Sequence, residues 1–385
     1  MKKVLWVILA IVLVSGLVLA GCAAPTPATI TPTQQPTTTA TQPPTTTATK
    51  PPTTTATAPP TTTATVKPRI LRFAWDMPKT AAIVPGWQWF MDELVKRTNG
   101  MVKIEPYGGA VLFDQKATPD SLKSGIADMS NVSTSAHSQL FPVSNLFVLP
   151  GLEFPDSTAD GFMKKYDAYM QLREKYPAIK NELKDYKLLF WCPNPAYRLI
   201  SKKLIAVPED IKGLKLGGNA SQSKVTQAGG GVWVQAVPND VYEGMNKGVF
   251  DGAYVSWAQV NVYHFEEVAT FFLDYGFTQE AQQVCMNLNT WNSLSPDVQK
   301  IFTDLTAETV RRASQAQIDS NQKGIDGTKA KNRTITVPNV EQRAKWDATI
   351  GPIADEWAKD LVSKGVTSAP DILKDIIAAR AAAYK

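Results

Sequence analysis

The residue types that most often carry out covalent chemistry are few in this sequence of 385 residues. The two histidines, His137 and His264, stand far apart, and the three cysteines do not have the spacing of metal ligands. The chain has no Gly-x-Ser-x-Gly turn, no His-Glu-x-x-His, no Gly-Lys-Ser/Thr phosphate loop and no Cys-x-x-Cys. These patterns argue against an enzyme, and the sequence predicts neither a cofactor nor a metal site.

Side chains that can bind a small solute lie at the ends of predicted strands or in the loops that follow them. A binding cleft needs a few directional polar groups and aromatic walls. The candidate ligand contacts are Trp75, Asp114, Ser133, Thr134, Tyr254, Ser256 and Trp257, with Asp76 and Gln115 beside the first two. For each tryptophan the alternative is packing in a core, since aromatic side chains dominate cores as readily as pockets.

The elements that must position these side chains begin with a β–α–β unit. The pattern predicts a strand at 71–75, an amphipathic helix at 86–98 and an alternating strand at 102–106. A short helix at 118–125 then leads to a third strand that begins at Ala127. This order is typical of a parallel sheet.

A second α/β segment occupies residues 207–257. Near the start of this segment, a single helical turn at 208–213 leads into a predicted strand at 214–216. A second strand begins at Ala253, and two helices are predicted between the two strands. The run Gly229-Gly230-Gly231 ends the first of these helices, so it is a turn rather than a dinucleotide-binding loop. Asn239 or Asp240 is predicted to cap the second helix. The segment is therefore predicted as strand–helix–helix–strand.

Both segments place Gly-x-x-Asp between a helix and a strand, starting at Gly125 and at Gly248. The repetition suggests two similar α/β domains that face each other. Ligands of open α/β sheets sit at the carboxyl ends of the strands, so two facing ends form a cleft. Crossings between the domains are predicted at 192–195 and near 282–289, and one helix pattern extends from Ser295 to about Gly324.

Several runs of the chain resemble one known family. The clearest are Gly213-Leu214-Lys215-Leu216, Val237-Pro238-Asn239-Asp240-Val241-Tyr242 and Lys247-Gly248-Val249-Phe250-Asp251-Gly252-Ala253. They resemble DctP-type solute-binding proteins of tripartite ATP-independent periplasmic (TRAP) transporters, over roughly residues 69–330 and more weakly beyond. The resemblance implies an α/β, two-domain periplasmic-binding-protein-like (type II-like) fold, with hinge strands and a long helix spanning both domains.

The resemblance also implies capture of a small organic solute, by family preference an organic acid, and its delivery to a small and a large membrane permease subunit. In the family an arginine two residues beyond the lysine of Gly-Leu-Lys holds the solute carboxylate, and this chain has Gly217 there. Arg198 matches a second family arginine and is the remaining candidate to hold an acid; its alternative is a surface or interdomain salt bridge. Without the usual arginine, the possible solutes include a 2-oxoacid held by Arg198, an amide and a neutral polyol.

The start of the chain resembles a bacterial lipoprotein signal over residues 1–22. Lys2-Lys3 precedes an apolar run that ends at Leu19-Ala20-Gly21-Cys22, and in such boxes the cysteine thiol is acylated and becomes the new N-terminus. The alternative is an uncleaved membrane anchor. Residues 23–68 are rich in Thr and Pro, which predicts a disordered linker. Both alternatives predict a tethered, extracytoplasmic protein.

The remaining expectations concern domain boundaries, cysteines and partners. The predicted division is 69–195 with 282–322 as domain I, and 196–281 with 323–385 as domain II. Cys192 and Cys285 are expected to be buried free thiols, with a disulfide between neighbouring hinge strands as the alternative. The net charge of +5 is modest and spread out, so nucleic acid is not an expected partner. Two rival functions stay open: a ligand-binding sensory lipoprotein and a surface adhesive or structural lipoprotein.

Overall fold

A computed structural model describes residues 67–385, which form two β-sheets covered by helices. The strands are β1 (Arg69–Trp75), β2 (Val102–Gly108), β3 (Met129–Ser133), β4 (Tyr186–Pro193), β5 (Tyr197–Ser201), β6 (Lys215–Gly218), β7 (Val232–Gln235), β8 (Gly252–Val255), β9 (Phe271–Thr278), β10 (Ala281–Asn287) and β11 (Thr334–Thr336). The helices are α1 (Val84–Arg97), α2 (Thr118–Lys123), α3 (Ala159–Lys175), α4 (Pro177–Asn181), α5 (Ala220–Ala228), α6 (Pro238–Asn246), α7 (Trp257–Tyr263), α8 (Leu288–Asn292), α9 (Pro296–Asp304), α10 (Thr306–Ala330), α11 (Val340–Ser363) and α12 (Ala369–Ala383).

The first sheet has the strand order β2-β1-β3-β10-β4, and the second has the order β11-β9-β5-β8-β6-β7. We call each sheet, with the helices packed on it, the first lobe and the second lobe. In the first lobe β1 is parallel to both β2 and β3, as the β–α–β pattern predicts, and β10 is antiparallel to its two neighbours. In the second lobe β6 is parallel to β7 and β8.

Residues 207–257 contain one strand more than the sequence predicts. The strand β7 separates the two helices, so the segment is strand–helix–strand–helix–strand, and the predicted strand–helix–helix–strand order is wrong. Four residues on a half-exposed edge give too short an alternation to be recognised in the sequence. The glycine run is a helix end as predicted: Gly229 follows α5, and Gly230 has a φ of 77°. Helix α6 begins at Pro238 rather than at a side-chain cap from Asn239 or Asp240, because proline suits the first helical position.

The second crossing between the lobes also differs from its predicted position. The first crossing joins β4 to β5 at residues 194–196, next to the predicted 192–195. The second joins β9 to β10 through Gln279 and Glu280, because residues 282–287 are already paired with β3 and β4. The two crossings contact each other, since the Asn194 amide donates to the Glu280 carbonyl at 2.8 Å.

Each lobe has its own hydrophobic core, and the second sheet is buried on both faces. Leu199 and Ile200 are neighbours in β5 and belong to clusters on opposite faces, as the two-residue period of a strand requires. Helix α11 starts in the second lobe, where Trp346 packs with Tyr275 and Phe277. Its C-terminal half and α12 pack instead in the core of the first lobe. The predicted domain boundaries stay a prediction. They assign residues 323–385 to domain II, whereas residues 354–383 of that range pack in the core of the first lobe.

The predicted buried thiols are confirmed. Cys192 in β4 and Cys285 in β10 are free and buried, and burial raises the pKa of each thiol to about 12. Cys192 lies opposite Gln282 in the strand register, so the two cysteines are not cross-strand partners. None of the helices within residues 67–385 has the length and apolar content that crossing a bilayer requires.

The long helix predicted at 295–324 is α9 and α10, separated only by Leu305, and α10 contacts both lobes. Two glycines allow the backbone of α10 to lie close to α1 and α7. Gly86 of α1 faces the backbone of Ala313, and Gly324 of α10 faces the carbonyl of Trp257 in α7. A Cβ atom at either glycine would collide with that backbone. One glycine in α1 and one in α10 thus set the distance of α10 from both lobes.

We expect Gly324→Ala to destabilise the protein, because the added methyl group forces α10 away from α7. Overpacking of this kind costs about 1–3 kcal/mol. Gly327→Ala is the matched control in the same helix, since nothing lies within 4 Å of its Cβ position; it should instead stabilise by up to about 1 kcal/mol. Urea denaturation measures both. Equal effects of the two substitutions would contradict the close contact.

Candidate functional site

A cavity of about 400 Å³ lies between the two lobes. This volume falls in the range of roughly 300–1,000 Å³ that is typical of small-molecule pockets. The cavity is lined by residues that follow β1 and β3 of the first sheet and β6, β7 and β8 of the second. It therefore sits at the carboxyl ends of strands from both sheets, where open α/β sheets bind ligands.

The wall from the first lobe is built on a chain of side-chain amides. Asp76 follows β1, and its carboxylate accepts from Gln115 Nε2 at 2.9 Å and from Asn131 Nδ2 at 3.0 Å. Asn131 Nδ2 also donates to Gln282 Oε1 at 3.0 Å. His137 lines the same wall, with Nε2 at 2.9 Å from the Gln115 carbonyl. Neutral donors thus hold the Asp76 carboxylate at the cavity.

The wall from the second lobe is formed by the N-terminal ends of helices. Asn219 precedes α5, Pro238 and Asn239 begin α6, and Ser256 precedes α7. Ser256 Oγ accepts from the Gln259 amide at 3.2 Å, which is a helix cap. Such helix ends favour negative charge nearby, because their first amide N–H groups have no partner inside the helix.

At the base of the cavity, the buried carboxylate of Glu280 connects the lobes. It accepts from Ser135 of the first lobe and from Ser221 Oγ of the second at 2.5 Å. Gln222 Nε2 donates to the same carboxylate at 3.3 Å. Burial raises the pKa of Glu280, while the hydroxyl groups of Ser135 and Ser221 act in the opposite direction. The crossing segment is thus tied to both lobes.

Arg198 does not line the cavity, and its guanidinium is held by two carboxylates. Nη1 lies 2.9 Å from Asp156 Oδ2, and Nε lies 3.1 Å from Asp274 Oδ1. Burial alone would raise the pKa of Asp156, but the charge and hydrogen bonds of Arg198 outweigh it and lower that pKa. Asp156 also accepts from the Ala196 amide at 2.8 Å. Arg198 therefore has the role weighed as its alternative, an ion pair between segments of the two lobes.

The other candidates divide into two groups. Asp114, Ser133 and Ser256 line the cavity, together with Asp76 and Gln115. Thr134 is buried beside them without lining the cavity. As ligand contacts, all of these residues stay predictions.

The remaining three aromatic candidates are buried among other side chains and do not line the cavity. Trp75 packs on Phe73 and Trp87, with ring centroids 5.0 and 5.7 Å away. Trp257 stacks on Phe272 and donates to Asp274 at 3.1 Å. Tyr254 packs on Phe277 at 5.3 Å, and its hydroxyl pairs with Thr226. The tryptophans therefore have the core-packing role considered as their alternative.

Several polar residues of the cavity were not predicted from the sequence: Lys116, Asn194, Asn219, Gln235, Gln259, Glu280, Gln282 and Gln317. Gln259 lies inside a helix, and Gln282 and Glu280 lie at and just before the start of a strand whose residues are all buried. The only signal in the sequence is the polar run Gln279-Glu280 before a buried strand. Among the described lining residues, Lys116 is the one lysine or arginine. Gly217 lies buried in β6 and does not line the cavity.

Comparison with known proteins gives a consistent result. The family described as bacterial extracellular solute-binding protein, family 7 (DctP), matches residues 76–360. The C4-dicarboxylate-binding periplasmic protein DctP of Rhodobacter capsulatus is 24% identical over 315 residues, covering 78% of this chain and 90% of that protein.

Solved structures show the same architecture. The TRAP solute-binding protein of Rhodoferax ferrireducens in complex with copurified benzoate has a TM-score of 0.74 at 21% identity, covering 82% of this chain and 98% of that one. The TRAP protein of Chromohalobacter salexigens with bound D-glucuronate has a TM-score of 0.71 at 19% identity, covering 80% and 99%. The predicted two-domain periplasmic-binding-protein-like fold is thereby confirmed.

We expect Arg198→Ala to destabilise the protein by about 3–5 kcal/mol near neutral pH, because it leaves two partly buried carboxylates without a cation. The lowered pKa of Asp156 means that its ion pair stabilises the fold above the unfolded-state pKa of about 3.9, and that this contribution is lost as the pH falls. The deficit of the variant should therefore shrink towards about pH 4, where the unpaired carboxylate of Asp156 takes up a proton.

Urea denaturation at several pH values measures this deficit. The control is Arg311→Ala, which removes an exposed pair with Asp160 and should cost less than about 1 kcal/mol. A loss in Arg198→Ala no larger than that of the control, or one independent of pH, would contradict the structural role of Arg198.

Proposed function

The chain belongs to the bacterial extracellular solute-binding protein family 7, and on this premise we propose that it is the solute-binding receptor of a TRAP transporter. The resemblance found in its sequence motifs is confirmed by the family match over residues 76–360. The family is one of extracytoplasmic solute receptors rather than of enzymes. We propose the same for this chain: it binds and releases its solute without changing it, and it uses no cofactor.

The observation that carries the proposal is the cavity between the lobes. Residues from both lobes and from the crossing segments line it, so a solute in it contacts both halves of the protein. A change of angle at residues 194–196 and 279–280 would open or close the cavity. A solute that contacts both lobes binds the closed form more tightly, and so shifts the equilibrium towards closure. The closed form is then the form that permease subunits recognise.

For the solute we propose a small organic acid. The similar proteins described above bind C4-dicarboxylate, benzoate or D-glucuronate according to their descriptions. Among residues 67–385 the acid group finds no arginine on the cavity wall, because Arg198 is paired elsewhere. Lys116 and the N-terminal end of α6 are the features of the wall that favour negative charge, since the start of α5 already binds the Glu280 carboxylate.

We also propose that the receptor is tethered to the outside of the cell membrane and works with a small and a large permease subunit. The support for the tether is the lipoprotein-like motif that ends at Cys22, followed by the Thr/Pro-rich segment. Cys22 lies outside the described residues. A lipid anchor keeps the receptor near its membrane partners and raises its effective concentration there.

A thermal-shift screen over organic acids, amino acids and sugars tests capture. A solute at 100 times its dissociation constant stabilises the folded form by about 2.7 kcal/mol, which gives a clear rise in Tm. Val262→Trp should abolish the rise, because Val262 lines the cavity on α7 and the larger side chain fills it. Lys345→Ala on an exposed face is the control and should keep it. No shift with any solute would favour the adhesive role instead.

Cys22→Ala tests the tether in a bacterial host. The unchanged protein should incorporate labelled fatty acid and sediment with membranes, while the variant should take up no label, because the thiol is the acylated group. Fatty-acid labelling that persists in the variant would exclude Cys22 as the acylated residue.

A further inference from the structure

We propose that the solute carries several hydroxyl groups and that Asp76 and Gln282 recognise them, which makes the solute a polyhydroxylated organic acid of the sugar-acid type. The inference rests on the proposed function and specifies the substrate class of the same cavity. It follows from the hydrogen-bonding capacity that the wall of the first lobe leaves unused.

Asp76 has acceptor capacity left after its contacts within the protein. Its two oxygens accept one hydrogen bond each, from Asn131 and from Gln115. An ionised carboxylate offers about four acceptor positions, so roughly two remain. No lysine, arginine or histidine of the described residues forms an ion pair with it. A donor from the solute can therefore bind at these two positions.

The neighbouring amide of Gln282 has its orientation fixed by the same network. A carboxylate only accepts, so the group of Asn131 that faces Asp76 must be its NH₂. That NH₂ also faces Gln282 Oε1, which leaves Gln282 Nε2 on the other side of its amide. Gln282 lines the cavity and is otherwise buried. The wall therefore presents an acceptor at Asp76 and a donor at Gln282, both held by one asparagine.

This pairing matches hydroxyl groups, because each hydroxyl both donates and accepts. Hydroxyls on adjacent carbons can donate to Asp76 and accept from Gln282. A solute with only carbon at this position would displace water from the two remaining acceptor positions of Asp76 without replacing its hydrogen bonds, which costs affinity. A solute carboxylate at this position would be repelled by like charge. The wall thus discriminates against acids that lack hydroxyl groups.

The charges of the cavity also indicate how the solute is oriented. Asp76, Asp114 and Glu280 line the cavity, against Lys116 as the one lysine or arginine among the described lining residues. The acid group is therefore directed away from Asp76 and from Glu280, which already occupies the start of α5, and towards the second lobe where α6 begins. The hydroxyl groups then face Asp76 and Gln282. Each lobe receives a different end of the solute, which is what closure on it requires.

Isothermal titration of the ligand-free protein with matched compounds tests the class. The hydroxylated acids are D-glucuronate, D-galacturonate and D-gluconate, the acids without hydroxyls are benzoate and cyclohexanecarboxylate, and methyl β-D-glucoside has hydroxyls without an acid. We expect at least one hydroxylated acid to bind tenfold or more tightly than both unhydroxylated acids. If an unhydroxylated acid binds as tightly as the best hydroxylated one, the inference is overturned while the receptor for an acid stands.

Methyl β-D-glucoside tests the acid part of the proposed function separately from hydroxyl recognition. If it binds as tightly as D-glucuronate, the acid group contributes nothing and the acid part of the proposed function fails, while hydroxyl recognition is supported. If no compound binds, both the receptor for an acid and the inference are overturned. Each failure therefore has its own result.

Substitution of Asp76 tests the residue itself. Asp76→Asn should weaken the best hydroxylated acid by roughly 10- to 100-fold, the range for hydrogen bonds to a charged group. It should not weaken the analogue in which the contacting hydroxyl is replaced by hydrogen. Asp92→Asn, at an exposed carboxylate of α1, is the control and should change neither affinity. An equal loss for both compounds in Asp76→Asn would indicate a purely structural role and contradict the inference.

Discussion

The rest of the structure depends on how the chain satisfies its charged groups at the two crossings between the lobes. Buried charges are tolerated only when they are paired or hydrogen-bonded. Asp156 of the first lobe binds both the Ala196 amide and Arg198, and Asp274 of the second lobe takes the remaining side of Arg198. Glu280 on the other crossing is satisfied by serines from both lobes. These contacts set the floor of the cavity, and they remove Arg198 from it.

This arrangement leaves the cavity without the arginine that the sequence resemblance leads us to expect. Gly217 stands where the sequence resemblance implies an arginine, and Arg198 is paired with aspartates, so the described lining of the cavity is rich in amides and carboxylates and contains no guanidinium. Amides offer both donors and acceptors and carboxylates offer acceptors, whereas guanidinium offers only donors and binds carboxylates through two parallel charge-assisted hydrogen bonds. The side chains at the ends of these strands, rather than the scaffold, thus determine which solutes the cavity can accept.

Motifs with strong local signals allowed the fold to be predicted, while contacts between distant residues were not predictable. The proline and glycine punctuation around 207–257 identified the family, yet β7 was missed because four half-exposed residues do not form a clear period. Asp114, Ser133 and Ser256 lie at the cavity because the ends of strands converge there. Trp75 and Trp257 also lie at strand or helix ends, but they turn into the core, and nothing in the sequence alone gives the direction of a side chain. The partners of Arg198 lie 42 and 76 positions away, beyond any local pattern.

The position of β10 in the first sheet has a consequence for synthesis. This strand lies between β3 and β4, although it comes about 90 residues after the latter. A chain emerging from the ribosome has therefore made both neighbours before the strand that joins them. Until that strand arrives, two apolar edges stay open to pairing with other chains.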